Sequence, residues 1–193
     1  MGVKGSVNRQ RIIEAADRLF YSRGYNQTSF SDISDETGIP RGNFYYYFKT
    51  KEDILAAVVD TRLDIFRQML ESCNAASSDP RERLLIFAGV PLQNEEQVLK
   101  YGCPIGTLSS ELMKQQHQDI SQSLFTSVFD LLRDWCIEQF RALGMGSRAR
   151  ELSMDLLARL QGVTMMSNVY GDREFLHRST RDVQNWIKKL TTN

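Results

Sequence analysis

Apolar residues recur at helical spacing along almost the whole chain, and nowhere do they alternate in the two-residue rhythm of a half-buried strand. Ile12, Ala16, Leu19 and Phe20 stand at i, i+4, i+7 and i+8, one face of a helix expected over about 8–23 and ended by Gly24. After the loop YNQTS, Ser29 precedes Asp32 by three residues. That is an N-cap arrangement for a short helix that turns Phe30 and Ile33 inward and stops at Gly38. Pro40 suits the first turn of a further helix through NFYYYF, and Thr50 with Asp53 caps the next, KEDILAAVVDTRLDIFRQMLES. CNAASSDP reads as a loop, Pro80 opens a helix through RERLLIFAGV, and QNEEQVLKYGCPIG bends the chain before TLSSELMKQQ. Long helical patterns follow at roughly 119–143, 147–170 and 172–190. The pattern predicts an all-α fold of about nine helices, in which two short helices joined by a tight turn pack on a longer first helix as a helix-turn-helix.

Composition narrows what such a fold does. The 193 residues, 41% apolar and 25% charged, suffice for a sizeable core in one or two compact domains. There is no apolar run of bilayer length, and MGVKGSVNRQR lacks the apolar centre of a secretory signal, so a cytoplasmic chain without a membrane partner is expected. Cys73, Cys103 and Cys136 are widely spaced and form no C-x-x-C pair, which argues against a disulfide framework or a zinc knuckle. The two histidines, His117 and His177, lie in polar helical stretches, and neither G-x-x-x-x-G-K nor G-x-G-x-x-G occurs. No catalytic residue, metal or cofactor is expected. The formal net charge is zero, but residues 1–51 hold eight Lys/Arg against five Asp/Glu and the remainder sixteen against nineteen. A basic head on an acidic body is a weak pointer to a polyanion.

The segment GIPRGNFYYYFKTKED, residues 38–53, sharpens that pointer. Three consecutive phenols suit neither a core, which has no partners for them, nor a plain solvated face. On a helix, Phe44 and Phe48 share the inward side and leave Arg41, Asn43, Tyr45, Tyr46 and Tyr47 facing outward or sideways. Arg41 can donate to guanine edges or phosphate, Gly42 admits close approach of the backbone, and Asn43 can bond a base edge or a phosphate. Tyrosine supplies a hydroxyl for phosphate oxygens and a ring edge for thymine methyls. Lys49 and Lys51 follow, and Thr28 with Ser29 offer hydroxyls and backbone N–H groups at a helix N-terminus, all groups that hold phosphates. Docking of a protein partner on the same surface is the other reading of these residues.

The stretch TSFSDISDETGIPRGNFYYYFKTKEDIL resembles the DNA-binding domain of the tetracycline-repressor (TetR) family, over about residues 9–56. It shows a Thr-rich start, an Ile-x-x-x-x-Gly turn and an aromatic-rich helix ending in Phe-Lys-x-Lys-Glu. The resemblance implies a DNA-binding domain at 1–52 and a ligand-binding and dimerisation domain at 53–193. It also implies a homodimer on a pseudo-palindromic operator, released by a small-molecule inducer. Thr28, Ser29, Arg41, Gly42, Asn43, Tyr45, Tyr46, Tyr47 and Lys51 match DNA-contacting positions, with Tyr47 standing where many relatives have His. In the body, Phe66, Phe87, Tyr101, Cys103, Met113, Phe129, Trp135 and Met165 are the expected walls of a ligand pocket. Cys103, in the bend YGCPIG, is a candidate thiol for an electrophile as well. The stripe Leu152, Leu156, Leu160 and Val163, with Val183 and Ile187 on the final helix, is the expected dimer interface.

Overall fold

The computed structural model describes the backbone of residues 3–113 and 118–190 and the side chains of residues 5–113 and 126–190. Every regular element among them is helical: α1 (Val3–Arg23), α2 (Phe30–Thr37), α3 (Arg41–Tyr47), α4 (Lys51–Ala76), α5 (Pro80–Ala88), α6 (Val90–Gln93), α7 (Glu95–Tyr101), α8 (Gly106–Leu112), α9 (Gln118–Ala142), α10 (Ala149–Tyr170) and α11 (Arg173–Leu190). The all-α expectation holds; α7 lies within the stretch 93–106 expected as a simple bend, and the short α6 joins it to α5. His117 lies outside the described residues.

The chain forms two compact units, one of Met1–Asp64 with Thr107–Thr126 and one of Ile65–Gly106 with Ser127–Asn193. The first unit therefore reaches twelve residues beyond the division expected at 52 and takes in most of α8 as well. In it, α1 packs on α2 and α2 on α3. Ile12, Ile13, Ala15, Ala16, Leu19 and Phe20 of α1 are buried, as are Ile33, Phe44 and Phe48. Local chemistry shapes the helix ends. The Ser29 hydroxyl accepts the Asp32 N–H while the Asp32 carboxylate accepts the Ser29 N–H, a complete capping box. Gly38, at φ 66°, closes α2 in the left-handed conformation that other residues adopt only with strain. The turn's remaining polar groups are satisfied by neighbours: Thr37 Oγ1 donates to the Ile33 carbonyl at 2.8 Å, Ser34 Oγ to the Ile39 carbonyl at 2.7 Å, and Arg11 to the Thr37 carbonyl at 2.6 Å. A pair at low exposure ties α4 to α1, with Arg62 Nε 2.6 Å from Asp17 Oδ1.

In the second unit α10 packs against α11 and α7, and α11 against α5 and α6. The core is a continuous cluster that includes Leu84, Phe87, Trp135, Phe140, Leu156 and Leu176. Burial raises the Cys73 and Cys136 thiol pKa values. Side-chain amides stitch the helices: Asn168 Nδ2 donates to the Leu99 carbonyl at 2.9 Å and Gln184 Nε2 to the Leu85 carbonyl at 3.0 Å. Among the described residues, no helix is long and apolar enough to cross a membrane.

Candidate nucleic-acid interface

α3 is seven residues long and divides sharply between its two sides. Phe44 is fully buried, its ring meeting Phe30 edge-on at 6.0 Å, and Phe48, where the helix ends, is 3% exposed. Arg41, Gly42, Asn43, Tyr45 and Tyr46 are exposed, Tyr46 at 67%. The aromatic side chains are held by their neighbours rather than left to wander. Tyr45 stacks on Phe30 at 6.0 Å with an interplanar angle of 18°, and Tyr46 meets Tyr47 edge-on at 5.0 Å. Tyr47 is half-buried, its hydroxyl accepting from Asn8 Nδ2 at 3.5 Å. Lys49 Nζ donates to the Tyr45 carbonyl, bringing an ammonium to the same end of the helix. The result is a small rigid face of guanidinium, amide, phenol and ammonium groups with no acidic side chain in its sequence from Arg41 to Lys51. Such a face offers hydrogen-bond donors to phosphates and base edges at low entropic cost.

Two residues expected on this face belong to the turn behind it. Thr28 is 1% exposed, and its hydroxyl donates to the Gly24 carbonyl at 2.8 Å, so it closes the α1–α2 turn and does not reach a phosphate. Lys51 is half-buried: its Nζ donates to the carbonyls of Tyr25 at 3.0 Å and Thr28 at 3.1 Å and sits 4.1 Å from the Tyr25 ring centroid. Two of its three N–H donors are thus committed, and burial lowers its pKa despite the opposing charges of Glu52 and Glu111. Ser29 is exposed, yet its N–H and its hydroxyl both donate to Asp32 Oδ2, at 2.7 and 2.5 Å. Those bonds hold the Asp32 carboxyl below its usual pKa.

One residue that the sequence did not single out shapes the same turn. Glu111 of α8 accepts the backbone N–H of Tyr25 at 2.9 Å and of Asn26 at 2.7 Å. The Tyr25 hydroxyl in turn donates to Glu52 at 3.1 Å, and burial, with that carboxylate beside it, pushes the phenol pKa well up. No local signal marks Glu111, because its partners lie 85 and 86 residues away in the chain.

Residues 12–58, which span α2, α3 and most of α1, match the profile of bacterial regulatory proteins of the tetR family. The helix-turn-helix of this chain is thus of the tetR type. Among its relatives, an uncharacterised helix-turn-helix transcriptional regulator of Lactococcus lactis is 33% identical over 106 residues, 54% of this chain and 54% of its own length. The chain thus spans about half the length of that relative. The transcriptional repressor DhaR of a Mycobacterium species is 27% identical over 178 residues, covering 86% of this chain and 85% of the relative. A crystal structure of a TetR regulator from Legionella pneumophila superposes with a TM-score of 0.79 at 23% identity, covering 98% of this chain and 97% of that one, and so shares its fold.

The structure also locates the residues expected to serve the rest of the molecule. Phe87 and Trp135 are buried side by side, ring centroids 5.5 Å apart, with Trp135 Nε1 donating to Asn74 at 3.1 Å. Phe66 packs on the same core, and Tyr101, Cys103 and Phe129 are half-buried. Cys103 Sγ accepts from the Gly106 N–H and from Gln161 Nε2, both at 3.4 Å. Met113 and Met165, 54% and 64% exposed, lie at the surface rather than in the core. The expected dimer stripe requires a larger correction. Leu152, Leu156, Leu160, Val163, Val183 and Ile187 are all buried within the chain's own core, where α10 and α11 cover each other. The face of α10 left open is the opposite one, where Met154, Ala158, Gly162, Met165, Met166 and Val169 stand among the charged Glu151, Asp155 and Arg159. His177, in a polar helical stretch of α11, lies 3.1 Å from the Glu95 carboxylate.

Proposed function

We propose that the protein is a ligand-responsive transcriptional repressor, resident in the cytoplasm, that binds a pseudo-palindromic operator as a homodimer. The observation that carries this reading is the face of α3, where Arg41, Asn43, Tyr45 and Tyr46 are exposed while Phe44 fixes the helix from beneath. With one α3 per copy, two successive major grooves are read, and the half-site centres lie roughly one helical turn, about 34–36 Å, or somewhat more apart. Arg41 and Asn43 serve base edges, Gly42 permits the close approach, and Tyr45, Tyr46 and Tyr47 serve phosphates and thymine methyls, while Ser29, whose N–H and hydroxyl both donate to Asp32, caps α2. Lys51 chiefly holds the turn and keeps one donor for the backbone. Repression fits the name of the mycobacterial relative, and a dimer lying across a promoter excludes polymerase.

Residues 1–52 carry DNA binding and residues 53–193 the inducer and the second copy. The open face of α10, where methionines and the small Ala158 and Gly162 that admit close helix approach stand among Glu151, Asp155 and Arg159, is the surface we assign to the partner copy. An apolar inducer near Phe66, Phe87, Tyr101, Cys103, Phe129 and Trp135 acts only if it binds the DNA-free arrangement more tightly than the DNA-bound one. The reading is tested by mobility shift with duplexes from the region upstream of the protein's own gene. Arg41→Ala should weaken binding and relax base preference, and Tyr46→Ala should weaken binding to all sequences. Unchanged affinity in both variants would remove α3 as the DNA face.

A further inference from the structure

The turn between α1 and α2 is held from two sides by charged groups. On one side the Glu111 carboxylate takes two consecutive backbone N–H groups, those of Tyr25 and Asn26. On the other the Lys51 ammonium takes the carbonyls of Tyr25 and Thr28. The peptide group joining Tyr25 to Asn26 is therefore gripped at both ends, its N–H by Glu111 and its C=O by Lys51. Gly24 makes room for this: its φ is +93°, and a Cβ there would stand 3.0 Å from Glu111 Oε2. Two residues beyond Thr28, α2 begins at Phe30, and the Phe30 ring stacks on Tyr45 of the exposed face. The turn thus sets where the helix-turn-helix starts, and a charge-assisted pair of bonds sets the turn.

We propose that Glu111 is a positioning residue for operator recognition, holding the α1–α2 turn so that α2 and α3 present Arg41, Asn43 and Tyr46 in register with the bases. The inference rests on the DNA-binding reading of α3 given above. A carboxylate is required because both partners are donors. In Glu111→Gln one acceptor oxygen survives, but the amide NH2 meets the second backbone N–H, donor against donor. The turn loses its fixed position without loss of any residue that touches DNA. Base contacts depend on sub-ångström placement and phosphate contacts on charge, so specific affinity falls while non-specific affinity stays.

The test uses the full chain and a duplex enriched from a random pool by the parent protein, with a scrambled duplex of equal length as the non-specific probe. Glu111→Gln should lower affinity for the enriched duplex about tenfold or more and leave affinity for the scrambled one within about twofold. Backbone N–H exchange at Tyr25 and Asn26 should accelerate while far-UV circular dichroism stays unchanged. Glu111→Asp, which keeps the carboxylate on a shorter arm, should recover part of the specific affinity, and it carries the same test if the glutamine variant does not fold. Equal affinities for parent and variant, or an equal loss on both duplexes, would overturn the positioning role. Failure of the parent protein to enrich any duplex would instead overturn the DNA-binding reading, and this inference with it.

Discussion

Replacing Met165 by Glu separates the two apolar faces of α10. Met165 is 64% exposed on the single chain, so a charge there disturbs little of the fold, and the stability of the isolated chain should change by no more than about 0.5 kcal/mol. At an interface with a second copy the same side chain loses most of its remaining contact with water. Full burial of a methionine contributes about 1.5–3 kcal/mol, so the two-thirds still exposed contribute ~1–2 kcal/mol, and two-fold symmetry doubles this to ~2–4 kcal/mol per dimer. The glutamate should therefore weaken dimerisation about 30- to 1000-fold. Leu160→Glu is the contrasting change. Leu160 is 6% exposed inside the core, and an unpaired carboxylate there costs more than about 4 kcal/mol, so unfolding or aggregation is expected rather than a folded monomer. Sedimentation velocity over a hundredfold range of concentration, with circular dichroism on the same samples, distinguishes the outcomes. A Met165→Glu protein that sediments as the parent does at the lowest concentration, or a Leu160→Glu protein that is a folded monomer, would refute the assignment of the faces.

Three further changes probe the chemistry of the fold. Asp17→Ala strands the Arg62 guanidinium, 8% exposed, and should cost about 2–4 kcal/mol in urea titration, most of it recovered when Arg62→Met is added. Little loss in the single variant would show that the pair is not needed. Thr180 Oγ1 is buried without a hydrogen-bond partner, so Thr180→Val should be neutral or stabilise by about 1 kcal/mol, and clear destabilisation in thermal melts would point to a partner for the hydroxyl. The N–H groups of Thr50 and Lys49 hold the Asp53 carboxyl below its usual 3.8. Its contribution to stability is then present above about pH 4–5 and lost as pH falls through the lower folded-state value. Thermal midpoints should drop less steeply below pH 4 in Asp53→Asn than in the parent; equal slopes would count against the cap.

The helix-turn-helix was legible because its signals are local. Ser29 with Asp32 and Thr50 with Asp53 sit three residues apart, and both pairs form the expected bonds between side chain and backbone. Gly38 and Pro40 mark the turn by backbone geometry alone. α7 was missed because only Val98 of its seven residues is buried, and its helical state is supported by packing on α10, which no short window of sequence reports. The apolar stripe of Leu152, Leu156, Leu160 and Val163 was read correctly as a helix face, but periodicity does not say what covers a face. Here the branched aliphatic side chains go to the chain's own core and the methionines, with Ala158 and Gly162, stay outside. Thr28 and Lys51 carried the groups that phosphate binding needs, and the fold used them to close a turn. Glu111, which holds that turn from 85 residues away, shows why long-range polar contacts are the least legible part of such a site.

Fluorescence anisotropy of an upstream-region duplex, titrated with the protein at several salt concentrations beside a scrambled duplex, tests whether the α3 face binds an operator. Two chains per duplex are expected, with specific affinity about a thousandfold or more above the scrambled control. Log K should fall linearly with log salt, and Tyr46→Ala should lower affinity for both duplexes. Equal affinity for the two duplexes, or binding indifferent to salt, would contradict operator binding by that face.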